Sequence, residues 1–388
     1  MRVAIVAEYY PRAADPVLGV WAHRQALAAR DAGADVRVLV LHRPVPSKAA
    51  LRAREPRALV EPLRQPLRTH LDGIVVAYVP FLAPPRPRSY GSWGTWAAPS
   101  LALALRQLRR SFPFDLVHAH YAAPAGDAVR RARPGTPVVI SVHGGDVLSV
   151  VHRARGRAAV TRALASARLV LANSKGTEER ARELGAAHTR VVHLGTDVPP
   201  DPAPEPKLPT VATVGHLVAR KRHADLLRAL WLLRDSHPDL RWVVAGDGPE
   251  RAGLERLVGE LKLGGRVTLR GRLAPADAVA TAQSATVFAL PSVDEAFGVA
   301  YIEAMAAGVP AIGCRGEAGP EEIAASGPGI RLVAPGDPEA LAAELRALLD
   351  DAEWRRELGD GARATVERAF TWQACGSATV AAYEEALR

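Results

Sequence analysis

The stretch from Ala289 to Cys314, ALPSVDEAFGVAYIEAMAAGVPAIGC, constrains the fold of this chain more than any other. The apolar run Thr286–Leu290 leads into it and predicts a buried strand that a Pro-Ser pair ends. From Gly298 onward, apolar residues recur at helical spacing until an Ala-Gly-Val-Pro sequence ends the helix. Pro310–Cys314 then predicts a second strand. The sequence therefore predicts a strand–loop–helix–strand unit of a parallel α/β sheet.

Two glutamates lie in this stretch with seven residues between them. Glu295 falls in the loop between strand and helix, and Glu303 falls about two turns along the helix. Between them, Phe297, Gly298 and Val299 are expected to offer free backbone N–H groups at the helix start, which suits a phosphate or a polarised sugar oxygen. The alternative is an ordinary βαβ unit with a solvated acidic loop and one surface glutamate.

The sequence PSVDEAFGVAYIEAMAAGVPAIG closely resembles the donor-site segment of retaining glycosyltransferases of family 4. The resemblance includes the two spaced glutamates, the Phe-Gly between them and the Glu-Ala-Met-Ala-x-Gly-x-Pro tail. It implies the GT-B fold: an α/β protein of two Rossmann-like, doubly wound domains facing a central cleft, with a C-terminal helix crossing back to the first domain.

Length and composition fit two soluble α/β domains. The chain has 388 residues, of which 48% are hydrophobic and 23% charged. No apolar run approaches the roughly 18 residues of a membrane span, and we expect no signal peptide. The two cysteines, Cys314 and Cys375, form neither a disulfide framework nor a metal-ligand cluster, so no metal is expected. A reducing, cytoplasmic setting fits best.

The net charge of +9 allows several partners. Nucleic acid, anionic lipid and phosphorylated substrates all attract a basic protein. The basic residues are spread over many segments, without a compact Lys/Arg run or a helix-turn-helix or zinc pattern, so nucleic acid is not expected. A basic face in peripheral contact with the inner side of a membrane, or one that binds a diphosphate substrate, is the favoured interpretation.

Strand and helix patterns divide the chain into two domains joined by a proline-rich segment. Six prolines in VPPDPAPEPKLP exclude a helix or a central strand, so this segment is predicted to be the linker. The predicted divisions are residues 1–197 for an acceptor-binding domain, 198–209 for the linker, 210–371 for a donor-binding domain, and 372–388 for the returning helix.

Two positions in the first domain are candidates for ligand contact. Gly19 lies in the loop after the first predicted strand, Val3–Ala7, and the resemblance implies that this loop lies over the donor diphosphate. His143 follows the strand Val138–Val142 and precedes Gly-Gly, which leaves room for a ligand at a strand end. The segments HAHYAAPAG and SVHGGD resemble family 4 members that build cell-surface polysaccharides, which implies that His143 hydrogen-bonds the transferred sugar.

Other first-domain features leave alternatives open. His118 and His120 point to the same side of one strand, and either is compatible with a satisfied core histidine. Residues 43–66 are rich in Pro, Arg and Ala without clear periodicity. Residues 86–100, RPRSYGSWGTWAAPS, form either an exposed aromatic-basic surface for an acceptor or lipid, or an inward-packed aromatic cluster, which we favour.

The second domain opens with a basic loop directly before a predicted helix. Arg220, Lys221 and Arg222 there combine positive charge with amide dipoles, as a diphosphate leaving group requires. The alternative is a solvated charged face. The resemblance implies that Lys221 holds the diphosphate, but the family's arginine after the glycine is His216 here. Arg220 or Arg222 could substitute for it.

The remaining donor contacts are expected in two loops. Gly246 begins a Gly-Asp-Gly-Pro loop that lacks the third glycine of a dinucleotide fingerprint, so a dehydrogenase is weakly supported. The resemblance makes that loop the entry to a nucleotide-binding crevice and makes Arg272 and Leu273 part of the base-contacting segment. It further implies that Glu295 binds hydroxyls of the donor sugar and Glu303 the ribose.

The sequence thus predicts a retaining, metal-independent hexosyltransferase with a nucleotide diphosphate sugar as donor substrate and no further cofactor. Its acceptor would be a saccharide or lipid-linked molecule, in the synthesis of cell-surface polysaccharide or glycolipid. One alternative is a GT-B sugar-nucleotide epimerase or phosphorylase. Another, from a different class, is a non-catalytic basic protein that binds nucleic acid or anionic lipid.

Overall fold

The computed structural model describes residues 1–46, 56–86 and 89–388, and its contacts divide the chain into two compact units. The first unit comprises Met1–Leu194 together with Trp372–Arg388, and the second comprises Gly195–Thr371. Residues 47–55, within the Pro-, Arg- and Ala-rich segment 43–66, lie outside the described residues. So do residues 87–88 of the aromatic-basic stretch. The predicted linker, residues 198–209, falls within the second unit.

Eight strands form the sheet of the first unit, in the order β3-β4-β2-β1-β5-β6-β7-β8. Only the β3–β4 pair is antiparallel. The strands are β1 Arg2–Ala7, β2 Asp35–His42, β3 Arg68–Leu71, β4 Ile74–Pro80, β5 Leu116–His120, β6 Val138–Val142, β7 Leu169–Ala172 and β8 Thr189–Val191. Because helices cover both faces of the sheet, β1 and β5 are buried almost throughout rather than on one face only.

The helices of the first unit lie on both sides of that sheet and bury two apolar clusters against it. They are Val20–Asp31, Pro56–Val60, Trp93–Ser111, Asp127–Ala132, Ala154–Ser166, Lys175–Glu183 and Trp372–Leu387. The helix Trp93–Ser111 begins within the aromatic-basic stretch, residues 86–100, and each of the two interpretations of that stretch applies to part of it. Trp93 is buried in the core and Trp96 is 52% exposed, so the stretch is partly an inward cluster and partly a surface.

The last helix of the chain belongs to the first unit, as predicted. Gly376 allows it to touch the helix Val20–Asp31, since a Cβ at that position would lie 2.2 Å from the carbonyl oxygen of Ala28. Gln25 donates a hydrogen bond to Thr379 at 3.1 Å, and Arg24 lies over the ring of Trp372. Small residues and a few polar contacts therefore fix the returning helix.

The second unit has a six-stranded parallel sheet in the order β11-β10-β9-β12-β13-β14. Its strands are β9 Thr210–Val214, β10 Arg241–Ala245, β11 Val267–Leu269, β12 Val287–Ala289, β13 Ala311–Cys314 and β14 Ile330–Val333. Numbered from β9, this is the order 3-2-1-4-5-6 of a doubly wound nucleotide-binding sheet. The strands β4-β2-β1-β5-β6-β7 of the first sheet follow the same order, so each unit is Rossmann-like. The sheet order reverses between β9 and β12, where such folds bind ligands.

Helices flank this second sheet and bury one apolar cluster centred on residues such as Trp242 and Leu227. They are His223–Leu232, Arg251–Glu260, Pro275–Gln283, Val299–Met305, Ala318–Ser326, Pro338–Asp350 and Ala352–Ala369. The strand–loop–helix–strand unit predicted around Glu295 is present as β12, Val299–Met305 and β13. In the part of the chain that the structure describes, no helix is long and apolar enough to span a membrane.

Candidate functional site

Two loops of the second unit meet at the carboxyl ends of β9 and β12. The first contains a 3-10 turn, Ala219–Lys221, and the second runs from the end of β12 to Gly298. The main-chain N–H of Val293 donates to the carbonyl of Arg220 at 2.8 Å and ties the loops together. Parallel strands direct their carboxyl ends to one edge of the sheet, which is why residues so distant in sequence become neighbours.

Lys221 and Glu295 form a buried ion pair across these loops. The Lys221 ammonium contacts Glu295 Oε2, and Ser292 donates to the same oxygen at 2.8 Å. Each of the two charged residues is only 8% exposed. Burial alone would raise the pKa of Glu295, but the charge and hydrogen bond of Lys221, followed by Arg220 and Ser292, hold that pKa below its ordinary value. The carboxylate therefore stays ionised at neutral pH.

The neighbouring basic residues have different partners. Arg220 lies 3.8 Å from Glu295 Oε2, with its side chain 44% exposed, so it extends the positive charge around Lys221 toward solvent. Arg222 is held by Asp225 at 2.6 Å. His216, at the position where the family has arginine, is exposed. Of the two arginines that could substitute, Arg220 therefore lies in the site, and Arg222 is engaged elsewhere.

Gly298 makes the turn from the acidic loop into the helix Val299–Met305. It has φ +88°, and a Cβ there would lie 2.4 Å from the ring of Tyr301, so the turn requires glycine. Phe297 is buried and packs edge-to-face on Phe370 at 5.6 Å. These packed residues fix the position of the backbone between the two glutamates.

Glu303 has a different environment from Glu295. It is half-buried on the helix, and burial, followed by the nearby carboxylate of Asp197, raises its pKa to about 7. Glu295 stays ionised, whereas Glu303 titrates near neutrality. The pair of glutamates seen in the sequence thus has two different protonation behaviours.

The predicted nucleotide-binding loops lie beside β10 and β11. Gly246 N–H donates to Gly271 O at 2.8 Å and joins the loop after β10 to the loop after β11. A Cβ on Gly246 would lie 1.8 Å from the carbonyl oxygen of Gly215, so only glycine fits. Arg272 is exposed and Leu273 is half-buried just beyond that junction.

In the first unit, His143 stands at the end of β6 within a group of aromatic rings. Its ring centroid is 5.5 Å from that of Tyr121 and 6.2 Å from that of Trp21. Its main-chain N–H donates to Asp146 Oδ1 at 3.1 Å. Asp146 Oδ2 accepts the Ala122 N–H at 2.8 Å, so one carboxylate clamps the loops after β5 and β6. Burial raises the pKa of Asp146 to about 6.

Gly19 lies beside the loop after β1. It has φ +66°, and a Cβ there would lie 2.2 Å from the carbonyl carbon of Tyr9, so glycine allows the close approach. Tyr9 in turn packs against Tyr121 at 4.9 Å between centroids. The structure therefore connects Gly19 to His143 through two tyrosines.

Sequence reasoning missed Glu8 and Asp146. Glu8 is buried at the end of β1 and pairs with Arg86 at 2.6 Å, while Tyr90 donates to its second oxygen at 2.7 Å. The signal that could have found Glu8 is its place directly after a buried strand, where α/β folds collect functional side chains. Asp146 directly follows the sequence His-Gly-Gly, but the sequence alone indicates no role for it. Within the described residues, no three or more His, Cys, Asp or Glu side chains are placed so that they could hold a metal ion together.

Comparison with known proteins agrees with this architecture. The profile of "Glycosyltransferase Family 4" matches residues 18–199, and that of "Glycosyl transferases group 1" matches residues 197–365. The chain is 30% identical to 2-deoxystreptamine glucosyltransferase of Streptomyces kanamyceticus, over 66% of this chain and 73% of that protein. It is 33% identical to MMP alpha-(1->4)-mannosyltransferase of Mycolicibacterium hassiacum over 52% of this chain, and it spans only 44% of that relative.

A solved structure extends the likeness to the whole fold. The Anabaena protein Alr3699/HepE, solved in complex with UDP-glucose, superposes with a TM-score of 0.71 at 18% identity and 99% coverage of both chains. Two adjoining family profiles, a relative matched over most of its length and the two doubly wound sheets thus agree. The chain belongs to glycosyltransferase family 4 and has the GT-B fold.

Proposed function

We propose that this glycosyltransferase moves a hexosyl residue from a nucleotide diphosphate sugar to a saccharide or lipid-linked acceptor with retention of configuration. The observation that carries the proposal is the buried Lys221–Glu295 pair with Arg220 beside it, at the topological switch point of the second sheet. The solved relative bound to UDP-glucose supports a nucleotide sugar as the donor.

The diphosphate of the donor is assigned to the basic loop. Lys221 and Arg220 would hold its oxygens, with His216 at the rim and the amides of Phe297, Gly298 and Val299 facing the phosphate or sugar oxygens. A charge-assisted hydrogen bond contributes about 1.5–3 kcal/mol. Two or three of them therefore lower the barrier to leaving-group departure by several kcal/mol. The Gly19 loop is assigned to the same diphosphate.

The two glutamates are assigned to hydroxyl groups. Glu295, kept ionised by Lys221, would accept hydrogen bonds from the donor sugar, and Glu303 would accept them from the ribose. Gly246, Arg272 and Leu273 would line the nucleoside. His143 would hydrogen-bond the transferred sugar.

Retention follows if both bonds change on one face of the sugar. The bond from C1 to the phosphate oxygen breaks, the bond from C1 to the acceptor oxygen forms, and the acceptor proton passes to the departing phosphate. No protein nucleophile, metal or further cofactor takes part in this scheme, so the side chains orient the donor and stabilise charge. Transfer measured in excess EDTA should therefore equal transfer without it.

We also propose peripheral contact with the inner face of an anionic membrane. The outer side of the helix Trp93–Ser111 exposes Trp96 and Leu103 together with Arg106 and Arg110. An apolar group that enters the headgroup region beside basic residues is typical of interfacial helices. The contact would bring the enzyme to lipid-linked acceptors in glycolipid or cell-surface polysaccharide synthesis.

The test of the function is a binding screen followed by a transfer assay. Thermal shifts with UDP-, GDP- and ADP-sugars should identify one donor that stabilises the native protein, and Lys221→Met should abolish that stabilisation. NMR of the product should show the anomeric configuration of the donor. Conversion of the sugar nucleotide without an acceptor would instead indicate an epimerase, and salt-sensitive DNA binding without sugar-nucleotide affinity would contradict the proposal.

A further inference from the structure

Three histidines lie side by side at the ends of β5 and β6, and they differ in how their ring nitrogens are used. His118 Nδ1 is bonded to the Tyr383 hydroxyl at 2.8 Å, and its Nε2 is bonded to Ser141 Oγ at 2.7 Å. Both of its nitrogens are therefore occupied within the core. His118 is the satisfied core histidine that the sequence left as one possibility.

His120 and His143 instead bond to each other. His120 Nδ1 lies 3.0 Å from His143 Nε2, and the two ring planes differ by only 14°. The outer nitrogens, His120 Nε2 and His143 Nδ1, are buried and have no hydrogen-bond partner among the residues that the structure describes. A buried polar atom without a partner costs free energy, so its presence in a native protein calls for a functional reason.

Both imidazoles are neutral. Burial lowers the pKa of His143 to about 3, and it lowers the pKa of His120 well below its ordinary value. A neutral imidazole carries one N–H, and the bond between the rings needs one hydrogen. Either His120 Nδ1 holds that hydrogen, and His143 is protonated on Nδ1, or His143 Nε2 holds it, and His120 is protonated on Nε2. The two histidines must therefore have the same tautomer.

Among the described residues, no group outside the pair fixes which tautomer the two histidines have. Asp146 bonds to the main chain of His143, not to its ring, and within the described residues neither ring has a carboxylate or carbonyl partner. A protein usually sets a histidine tautomer through such a partner. Here the ring plane is held by packing against Tyr121, whose own backbone is strained at φ +79°, and the tautomer is left to His120.

We propose that His120 is a positioning residue that orients His143 and lets His143 Nδ1 act as either hydrogen-bond donor or acceptor toward a hydroxyl of the transferred sugar. The proposal rests on the proposed function, in which His143 contacts that sugar. In the tautomer with both hydrogens on Nδ1, His143 Nδ1 donates, and in the tautomer with both hydrogens on Nε2 it accepts; neither form carries a charge. A neutral pair can do this in a buried site where an imidazolium would be costly.

Two substitutions at one position separate this role from packing. In His120→Asn the amide lies near the place of Nδ1 and can still bond to His143, whereas in His120→Gln it reaches toward the place of Nε2 and loses that bond. We expect kcat/KM with UDP-glucose, or with GDP-mannose if the binding screen selects it, to fall about tenfold in His120→Gln and less than about threefold in His120→Asn. Equal losses in both variants would overturn the proposal.

Nitrogen NMR of the native protein provides a measurement that does not depend on activity. With ¹⁵N-labelled histidine, the shifts of His120 and His143 should report the same fraction of Nδ1 protonation, and both should move together when the same nucleotide sugar is added. Opposite tautomers, or movement of His143 alone, would overturn the proposal even if His120→Gln fails to fold.

The outcomes also distinguish this inference from the function on which it rests. If His143→Ala retains full donor affinity and transfer, the proposed contact of His143 with the sugar is wrong. If His143→Ala is impaired while His120→Gln keeps native kinetics, only the positioning role of His120 is wrong.

Discussion

The buried Lys221–Glu295 contact of the second unit joins two charged groups, whereas the contact between His120 and His143 in the first unit joins two neutral rings. Lys221 and Glu295 keep their charges below 10% exposure because each is the partner of the other. His120 is buried and His143 is half-buried; among the described residues neither ring has a carboxylate partner, and burial keeps both rings uncharged. The comparison indicates that, at these two contacts, charge is retained where an opposite charge is the partner and is given up where the partner is another imidazole.

Removal of one member of the charged pair should have the largest effect. Lys221→Met leaves the Glu295 carboxylate buried without its partner, which we expect to lower the free energy of unfolding by about 3–5 kcal/mol. Transfer should fall by about a thousandfold or more, because the diphosphate loses its main cation. Urea denaturation and initial-rate measurements would check these two expectations.

The double variant Lys221→Met with Glu295→Gln is the matched control for stability. With both charges gone, most of the lost stability should return while transfer stays absent. If Lys221→Met alone is as stable as the native protein, the pair does not hold its charges in the way described, and the contrast with the histidines disappears.

The next effect concerns pH and Glu303, a carboxyl group that has no cationic partner in contact among the described residues. Its pKa of about 7 lies above the ordinary 4.5, so the folded protein binds this proton more tightly than the unfolded chain. Stability from this group is therefore full below about pH 4.5 and is lost as the pH rises toward 7, by about 3 kcal/mol in total.

Glu303→Gln should remove that share of the pH dependence. Melting temperatures at pH 5 and pH 7.5 would show a smaller difference in the variant than in the native protein. Asp146→Asn is the comparison variant in the first unit, because the pKa of Asp146 is also raised, to about 6. An unchanged pH profile in Glu303→Gln would mean that this carboxyl group ionises freely.

A neutral histidine should matter for transfer more than for stability. His143→Ala should reduce kcat/KM by about tenfold to thirtyfold, the value of one or two hydrogen bonds, with a change in unfolding free energy of about 1 kcal/mol. Raising the salt concentration should not change the ratio between variant and native rates, because no charge is involved. A strongly salt-dependent ratio would contradict the conclusion that the rings of His120 and His143 are neutral.

The smallest effect is expected at the exposed edge of the charged loop. Arg220→Gln should weaken binding of UDP, measured by calorimetry, by about threefold and reduce its salt dependence. Arg222→Gln is the control, since Arg222 is engaged with Asp225 and should change UDP affinity less than about twofold. The reverse order would assign the missing arginine contact to Arg222.

Much of the fold was predictable from apolar runs between turn residues. The strands β1, β6, β12 and β13 lie within a residue of their predicted places, because parallel strands buried on both faces are largely apolar runs. The helix Trp93–Ser111 was missed because it begins among Gly, Ser and Trp and contains Pro99, which conceal its period. The short antiparallel strand Arg68–Leu71 is half-exposed and gives no apolar pattern.

The site was predictable as a set of residues but not as a set of contacts. The motifs identified Lys221 and Glu295 separately, and nothing in the sequence says that side chains 74 positions apart pair with each other. Likewise the strand alternation placed His118 and His120 on one side of β5, but their different partners, Ser141, His143 and Tyr383, come from two other segments. Tertiary neighbours decide protonation and orientation, and a single sequence does not contain them.

The helix Trp372–Leu387 has a consequence for how the protein is made. Its Tyr383 hydroxyl supplies one of the two bonds that hold His118, and His118 packs against His120 at 4.4 Å. During synthesis, the first unit therefore cannot complete this packing until the helix Trp372–Leu387 has been made, after the whole second unit has emerged from the ribosome. Until then the face of the helix Val20–Asp31 that receives this segment stays uncovered, so a nascent chain has a period in which a chaperone, or a mispaired neighbour, can occupy it.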